Sequence, residues 1–192
     1  MSYNRKPNFS PFLARCRMYK VKITDGTLEA LKWFALLAML LDHINKFIFN
    51  ESLPFLFELG RTCLPIFSFV IAYKLANYAT VKNGVYLRVV KRLLLFGILA
   101  SPAFYLLVGY WPLNILFMFA VAVGCMYLID SGGTKNVWFA VVLFVIPGAF
   151  VEYWWWGISL CLLIWSYTRT PSVLKGCLIL LVIVALFIIN RN

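Results

Sequence analysis

Charged residues are scarce in this 192-residue sequence, where they make up 13% of the chain. An ordinary soluble domain carries about a quarter of such residues. Hydrophobic residues make up 63%, and a soluble fold of this size leaves too much surface in water to hide them all. The composition therefore excludes an ordinary soluble domain and predicts a protein whose main solvent is lipid.

Several familiar functional motifs are also missing. The sequence has no Gly-rich phosphate loop, no GxSxG elbow and no HExxH pair. His43 is its single histidine, and its five cysteines show no CxxC spacing. A metal ion needs several ligands that converge, so we expect no metal site and interpret the cysteines as small buried apolar side chains.

Acidic residues are few, with seven Asp and Glu against eighteen Lys and Arg, and the net charge is +11. The basic residues fall mainly at the ends of apolar runs, as the positive-inside rule of membrane topology requires. They are dense before the first run and between residues 82 and 92. Both segments are predicted to be cytoplasmic, and no nucleic-acid partner is expected.

Apolar runs cover residues 28–49, 59–79, 93–110, 112–129, 136–151, 153–168 and 172–190. A helical span takes about 20 residues, and backbone in lipid must bond internally. We therefore predict an all-α, polytopic transmembrane bundle of about seven spans with a cytoplasmic amino terminus. The fifth and sixth runs are short, and a re-entrant hairpin is the alternative there.

Two segments follow from this topology. Residues 1–26 are predicted to form a basic cytoplasmic tail, and residues 27–192 a single transmembrane helical domain. No cleavable signal peptide is expected, because the tail is long and the first apolar run contains Asp42 and His43.

Asp42 and His43 are ionisable residues inside an apolar run, where a charge costs roughly 2.5 to 3.5 kcal/mol. Such residues are functional candidates by default. The structural alternatives are an ion pair of Asp42 with Lys46, four residues later on the same helix face, and a His43 that is only packed.

Arg61 and Asn114 begin spans on the same predicted outer side. Arg61 is expected to approach Asp42, where its planar guanidinium can either form an ion pair or bind an anionic ligand group. The Asn114 amide needs partners in hydrocarbon, which are either a substrate carbonyl or a neighbouring helix. Glu152, also on this side, is expected to be exposed.

A basic cluster on the predicted cytoplasmic side offers a binding site for the phosphates of a nucleotide-like cofactor. Positive-inside topology alone also accounts for such a cluster. Its members are Lys82, Arg88, Lys91 and Arg92.

Three ordered blocks resemble a known family. They are LDHIN at 41–45, GR at 60–61 followed by PIF at 65–67, and NILF at 114–117 followed by FAVA at 119–122. Their order and spacing are similar to those of the TraX family, conjugative-pilin N-acetylases of the bacterial inner membrane. With a weaker match at Gly157 and Ile158, the resemblance covers roughly residues 27 to 165. Some relatives extend further at the carboxyl end, which leaves the role of the last span open.

The resemblance implies transfer of acetyl from acetyl-CoA to the amino-terminal amine of a pilin subunit held in the membrane. On this basis we expect His43 to act as general base. Asp42 is expected to hold the incoming ammonium or to stabilise the imidazolium. Arg61 and Asn114 are expected to stabilise the oxyanion, and the basic cluster to bind acetyl-CoA. A transiently acetylated His43 is the variant of this mechanism.

Two other functions fit the same residues. The first is a small proton-coupled transporter in which Asp42 and His43 relay protons. The second is a non-catalytic pilus assembly factor that docks pilin helices. Its expected sign is that His43→Ala leaves the partner bound and removes no covalent product.

Overall fold

The computed structural model describes residues 23–79 and 81–189, and all regular structure in these two ranges is helical. The α-helices are α1 (Asp25–Phe47), α2 (Pro54–Arg61), α3 (Cys63–Tyr78), α4 (Val85–Val108), α5 (Ile115–Ser131), α6 (Thr134–Val145), α7 (Trp154–Arg169) and α8 (Val173–Ile189). A 3-10 turn at Pro147–Ala149 follows α6. The expected all-α class is confirmed. Of the predicted tail, residues 1–22 lie outside the described residues.

Helix α1 begins three residues before the first apolar run. The Thr24 hydroxyl accepts a hydrogen bond from the Thr27 backbone N–H at 3.3 Å, and Asp25 lies in the first turn. A hydroxyl cap and an early carboxylate both stabilise the amino end of a helix. The start is therefore set by capping chemistry, which a search for apolar residues does not detect.

The second apolar run corresponds to two helical segments that meet at Thr62. Helix α2 begins at Pro54, since a proline fits the first helical position, where no backbone N–H is required. The segment Pro54–Tyr78 is 25 residues long, so it starts five residues before the predicted run. Gly60 and Arg61, which lie in the predicted run, are therefore preceded by more than a turn of helix.

Helices α3, α5 and α7 form the centre of the bundle. Helix α3 packs against α1 and α7, α5 packs against α4, α6 and α7, while α8 packs against α7 and α2 against α1. The core between the central helices includes Leu64, Ala72, Met118, Ile158 and Cys161, all of them buried. Burial of these apolar side chains leaves the outer helices to face the surroundings.

The exterior is strongly apolar, above all on α4 and α8. Leu99 and Leu106 on α4 and Leu180 on α8 are each more than 60% exposed. The segments Pro54–Tyr78 and Val85–Val108 are each long and apolar enough to cross a membrane. A helical protein with this exterior is a membrane protein. Helix α6 has only 12 residues, so the count of about seven spans stays a prediction, as does the orientation.

The cysteines differ in their burial. Cys63, Cys125 and Cys161 are buried as expected, whereas Cys177 on α8 is exposed. The expectation of a buried side chain was wrong for Cys177, because an apolar run does not reveal which face of its helix packs inward. Cys16 lies outside the described residues.

Charged side chains tie helices together at one end of the bundle, which we call the charged end. Lys74 near the end of α3 donates to Glu29 near the start of α1 at 3.2 Å. Arg169 at the end of α7 pairs with Asp130 on α5 and donates to the Tyr86 hydroxyl on α4 at 3.1 Å. The opposite end, formed by the end of α1, by α2 and by the loops before α5 and α7, holds the catalytic candidates.

Candidate functional site

His43 lies in the last turns of α1 and is half-buried. Its Nδ1 is 2.7 Å from the Met39 carbonyl oxygen. A carbonyl oxygen only accepts, so Nδ1 must carry the hydrogen of this bond. In the neutral ring Nε2 is then the unprotonated nitrogen, and the helix backbone thereby selects the tautomer whose Nε2 can take a proton.

Asp42 lies directly against Gly60 of α2. A Cβ built at residue 60 would be 2.4 Å from the Asp42 Cβ and 2.5 Å from its Cγ, closer than real Cβ contacts. Only glycine lets α1 and α2 approach this closely. The carboxylate is half-buried, and the charges of His43, Lys46 and Arg61 lie near enough to act on it.

One of the two structural alternatives, an ion pair of Asp42 with Lys46, does not match this geometry. Across residues 23–79 and 81–189 there is no Asp42–Lys46 ion pair within 4.0 Å; the Lys46 Nζ lies 5.7 Å from the centroid of the Phe47 ring instead. The expected approach of Arg61 to Asp42 is realised through their helices, because Gly60, which contacts Asp42, precedes Arg61 in α2.

Asn45 positions α2, a role that the sequence analysis did not predict. Its side chain is 1% exposed; its amide Nδ2 donates to the Leu53 carbonyl and its Oδ1 accepts from the Leu53 N–H, both at 3.0 Å. This pair of bonds closes the connection between α1 and α2. An amide within the last turn of an apolar helix is the signal that the sequence offers.

Arg61 lines an apolar groove between α2, α3 and α8. Its guanidinium carbon lies 4.0 Å from the centroid of the Phe57 ring, and Nη1 donates to the Phe187 carbonyl at 3.3 Å. The groove has a volume of about 280 Å³, and apolar side chains such as Ile183 and Leu186 form most of its walls. The guanidinium thus lies over an aromatic ring at the edge of a groove.

Asn114 is buried and caps α5. Its Oδ1 accepts from the Leu116 N–H at 3.1 Å, while Nδ2 donates to the Gly97 carbonyl at 2.9 Å and approaches the Ser101 hydroxyl at 3.4 Å. The amide therefore joins α4 to α5. These bonds favour the interpretation of Asn114 as a link between helices over that of a donor to substrate.

Glu152 lies in the loop before α7 and lines a second, smaller cavity of about 180 Å³ rather than pointing into open solvent. Burial raises the pKa of its carboxyl to about 7, although a hydrogen bond from the Ile115 backbone and, less strongly, the charge of Lys46 oppose that rise. The expectation of a simply exposed residue was wrong. The burial of Glu152 could not be predicted from the sequence, because the walls of the cavity come from distant segments that include Pro112 and Leu186.

The four basic candidates for cofactor binding lie at the charged end, away from His43. Lys82, Arg88, Lys91 and Arg92 are all exposed, and Arg88 donates to the Asn83 carbonyl at 3.1 Å. Asp42 follows Glu29 by thirteen positions on α1, which corresponds to roughly 20 Å along the helix axis. The bundle therefore keeps the basic cluster and the candidate base at opposite ends.

The fold and site define the chain as a helical membrane protein that gathers an imidazole, a carboxylate and a guanidinium at one end of the bundle. Residues 27–192 match the TraX protein family, and the chain belongs to that family.

A curated relative is Protein TraX of Escherichia coli, which is 37% identical over 100 residues. That alignment covers 52% of this chain and 38% of the relative, so the match spans well under half of the relative's length. No solved structure matches the chain.

Proposed function

We propose that the chain is a membrane-embedded acetyltransferase, which moves acetyl from acetyl-CoA to the amino-terminal amine of a conjugative pilin in the bacterial inner membrane. The observation that supports this most is the hydrogen bond from His43 Nδ1 to the Met39 carbonyl at 2.7 Å. It leaves Nε2 as a base at the end of a helix whose neighbouring residue is a carboxylate.

The reaction requires an uncharged amine. The reference pKa of an α-amino group, about 7.7 to 8.0, makes its deprotonation easy near neutral pH. The ammonium first loses one proton to solvent. As the resulting amine nitrogen forms its bond to the thioester carbonyl carbon, His43 Nε2 takes a second proton from that nitrogen. The tetrahedral intermediate then collapses with cleavage of the C–S bond. The CoA thiolate leaves and is protonated by the imidazolium, which restores neutral His43.

Charges beside His43 support the two charged species of this reaction. Asp42 is the adjacent residue, and its carboxylate stabilises the imidazolium formed during transfer. Arg61, at the edge of the apolar groove, offers N–H donors to the oxyanion, a role in which one donor is typically worth about 100- to 1,000-fold in turnover. Asn114 belongs to this group only if its bonds to Gly97 and Leu116 exchange during the reaction.

The donor must enter from the cytoplasm, where acetyl-CoA is available. With the amino terminus inside, the basic cluster faces the cytoplasm and binds the phosphates of acetyl-CoA. Its acetyl group then has to reach His43 across roughly 20 Å of the bundle. Direct transfer and relay through an acetylated His43 both need this reach, and a rapid quench that traps acetyl-histidine separates them.

Charge removal tests the donor site. We expect a quadruple glutamine variant to have a higher KM for acetyl-CoA and an unchanged kcat. The four replaced residues are Lys82, Arg88, Lys91 and Arg92. Lys135→Gln, an exposed change at the same end of the bundle, is the matched control. An unchanged KM in the fourfold variant would place the donor elsewhere.

The deciding experiment is the intact mass of a conjugative pilin co-expressed with the wild-type chain, with His43→Asn, or with neither. An asparagine amide can keep a donor near the Met39 carbonyl but has no basic nitrogen, so the variant should fold and fail. Of the three samples, only the one with the wild-type chain is expected to give pilin that carries one acetyl group. Full acetylation with His43→Asn would remove His43 as the base.

The two alternatives from the sequence give different results in the same experiment. A docking factor would co-purify with pilin of unchanged mass, with or without His43. A transporter would leave the mass unchanged and show proton-coupled flux in vesicles that depends on Asp42 and His43.

A further inference from the structure

The smaller cavity at the site end has a single acidic wall among mostly apolar ones. Glu152 lines it together with Tyr153, Trp154, Trp156, Pro112 and Leu186. It shares Tyr153 and Leu186 with the groove that Arg61 lines, so the two spaces adjoin. A carboxyl surrounded by aromatic rings is an environment for a cation rather than for an anion.

The backbone around Glu152 is fixed by contacts with another loop. The Glu152 N–H donates to the Leu113 carbonyl at 2.8 Å, and the Leu113 N–H donates to the Phe150 carbonyl at 2.9 Å. The next two residues, Tyr153 and Trp154, have positive φ angles of 59° and 46°. Bulky residues rarely adopt this conformation, and such strain collects at binding sites.

Glu152 has no ion-pair partner within 4.0 Å in residues 23–79 and 81–189. Its carboxylate accepts a hydrogen bond from the backbone of Ile115, and the charge of Lys46 on α1 acts on both Glu152 and Asp42. Lys46 therefore links the cavity to the end of α1 that carries His43. A carboxylate shielded from water and without a counter-ion is costly, and an incoming cation would lower that cost.

We propose that Glu152 and the aromatic walls of this cavity bind the amino-terminal ammonium of the acceptor polypeptide. The identity of the acceptor rests on the proposed function above. The carboxylate supplies a charge-assisted hydrogen bond, and the indole rings supply cation–π attraction. A volume of about 180 Å³ admits a chain terminus and not a folded domain.

Other classes of ligand fit less well. An anion would meet the Glu152 carboxylate and be repelled, whereas an uncharged apolar group would leave that carboxylate without a counter-ion. A divalent metal prefers several oxygen ligands, and Glu152 is the one carboxyl among the described residues that line the cavity. A monovalent ammonium satisfies both the charge and the rings.

The proposal is tested by measuring the affinity of the full chain, in detergent, for a short apolar peptide with a free amino terminus and for its N-acetylated twin. The free-amine peptide should bind the wild-type chain, and Glu152→Gln should weaken that binding about tenfold or more, the usual effect of losing a charged hydrogen bond. Glu51→Gln, which changes an exposed carboxyl in the loop between α1 and α2, is the control and should bind as the wild type does.

The acetylated twin separates recognition of the ammonium from recognition of the chain. It should bind weakly, with the same affinity for wild type and Glu152→Gln. Equal binding of both peptides to the wild type, or equal affinity of wild type and Glu152→Gln for the free amine, would overturn the proposal. If Glu152→Gln fails to fold, Glu152→Asp keeps the charge and should retain the preference for the free amine.

The same peptides and variants test the ammonium site separately from the acetyltransferase activity. Binding that depends on both Glu152 and the free amine, without any acetyl transfer, would preserve the ammonium site and reject the transferase. Acetylation by Glu152→Gln at the wild-type rate, with unchanged affinity, would preserve the transferase and reject the site.

Discussion

Gly60 packs directly on Asp42, and a Cβ at residue 60 would lie 2.4 Å from the Asp42 Cβ. The contact brings two of the sequence blocks together, since Asp42 belongs to the first and Gly60 opens the second. It also sets the distance between α1 and α2, so the site depends on the absence of a side chain at residue 60.

Gly60→Ala should therefore destabilise the protein and disturb the site. Overpacking of this kind costs about 1 to 3 kcal/mol, and relief requires that Asp42 move. We expect a lower Tm in detergent and a lower rate of pilin acetylation. Gly26→Ala is the matched control, because a Cβ there meets nothing within 4 Å. Equal Tm values for the two variants would show that α2 can shift to accept the added Cβ without loss of stability.

Arg61 should act through its planar group as well as its charge. Arg61→Ala is expected to lower kcat about 100- to 1,000-fold if the guanidinium binds the oxyanion. Arg61→Lys keeps the charge but not the planar guanidinium over the Phe57 ring, so its loss should be smaller. Initial rates measured by mass spectrometry distinguish the variants, with Phe57→Leu as the control for the ring. An unchanged kcat with a raised KM for pilin would assign Arg61 to acceptor binding.

Asn114→Ala should reduce stability more than chemistry. The change removes a helix cap and the amide bond to the Gly97 carbonyl, which keeps its bond from the Ser101 hydroxyl, at a combined cost of about 1 to 3 kcal/mol. We expect a lower Tm with nearly normal acetylation per folded molecule. Asn136→Ala, which removes a hydrogen bond to Gly132 at the other end of α5 and α6, is the control. A large loss of rate at unchanged Tm would support a role in the reaction instead.

Binding of the free-amine peptide should depend on pH with a maximum between about 7 and 8. Burial raises the pKa of Glu152 to about 7, so the carboxylate forms as the pH rises through that value. The ammonium of the peptide is lost above its own reference pKa of about 7.7 to 8.0. In Glu152→Gln the fall on the acid side should disappear.

The charges that face this region come from two helices. Lys46 lies on α1, and Glu58 and Arg61 on α2 line the adjoining groove. Titration of binding in Lys46→Gln checks the assignment, because loss of that positive charge should move the acid side to higher pH. An acid side that does not move with Lys46 and persists in Glu152→Gln would assign it to another group.

Composition and local pattern were enough to predict an all-helical membrane protein. Each predicted apolar run contains a helix, because hydrophobicity and the need for internal backbone hydrogen bonds act along the chain. Family membership was likewise readable from Asp42, His43 and Arg61 in their short blocks. The tautomer of His43 also depends on a local contact, with Met39 four residues earlier.

Only the tertiary structure decided which polar side chains form hydrogen bonds to neighbouring helices and which line a cavity. Asn114 looked equally suited to substrate and to a neighbouring helix, and only the approach of Gly97 on α4 engages its amide. The sequence predicted an exposed Glu152, but in the folded protein it lines a cavity together with Pro112 and Leu186, which belong to distant segments. Hydropathy and spacing describe neighbours along the chain, whereas a cavity is formed by residues far apart in sequence, so its position follows from helix packing.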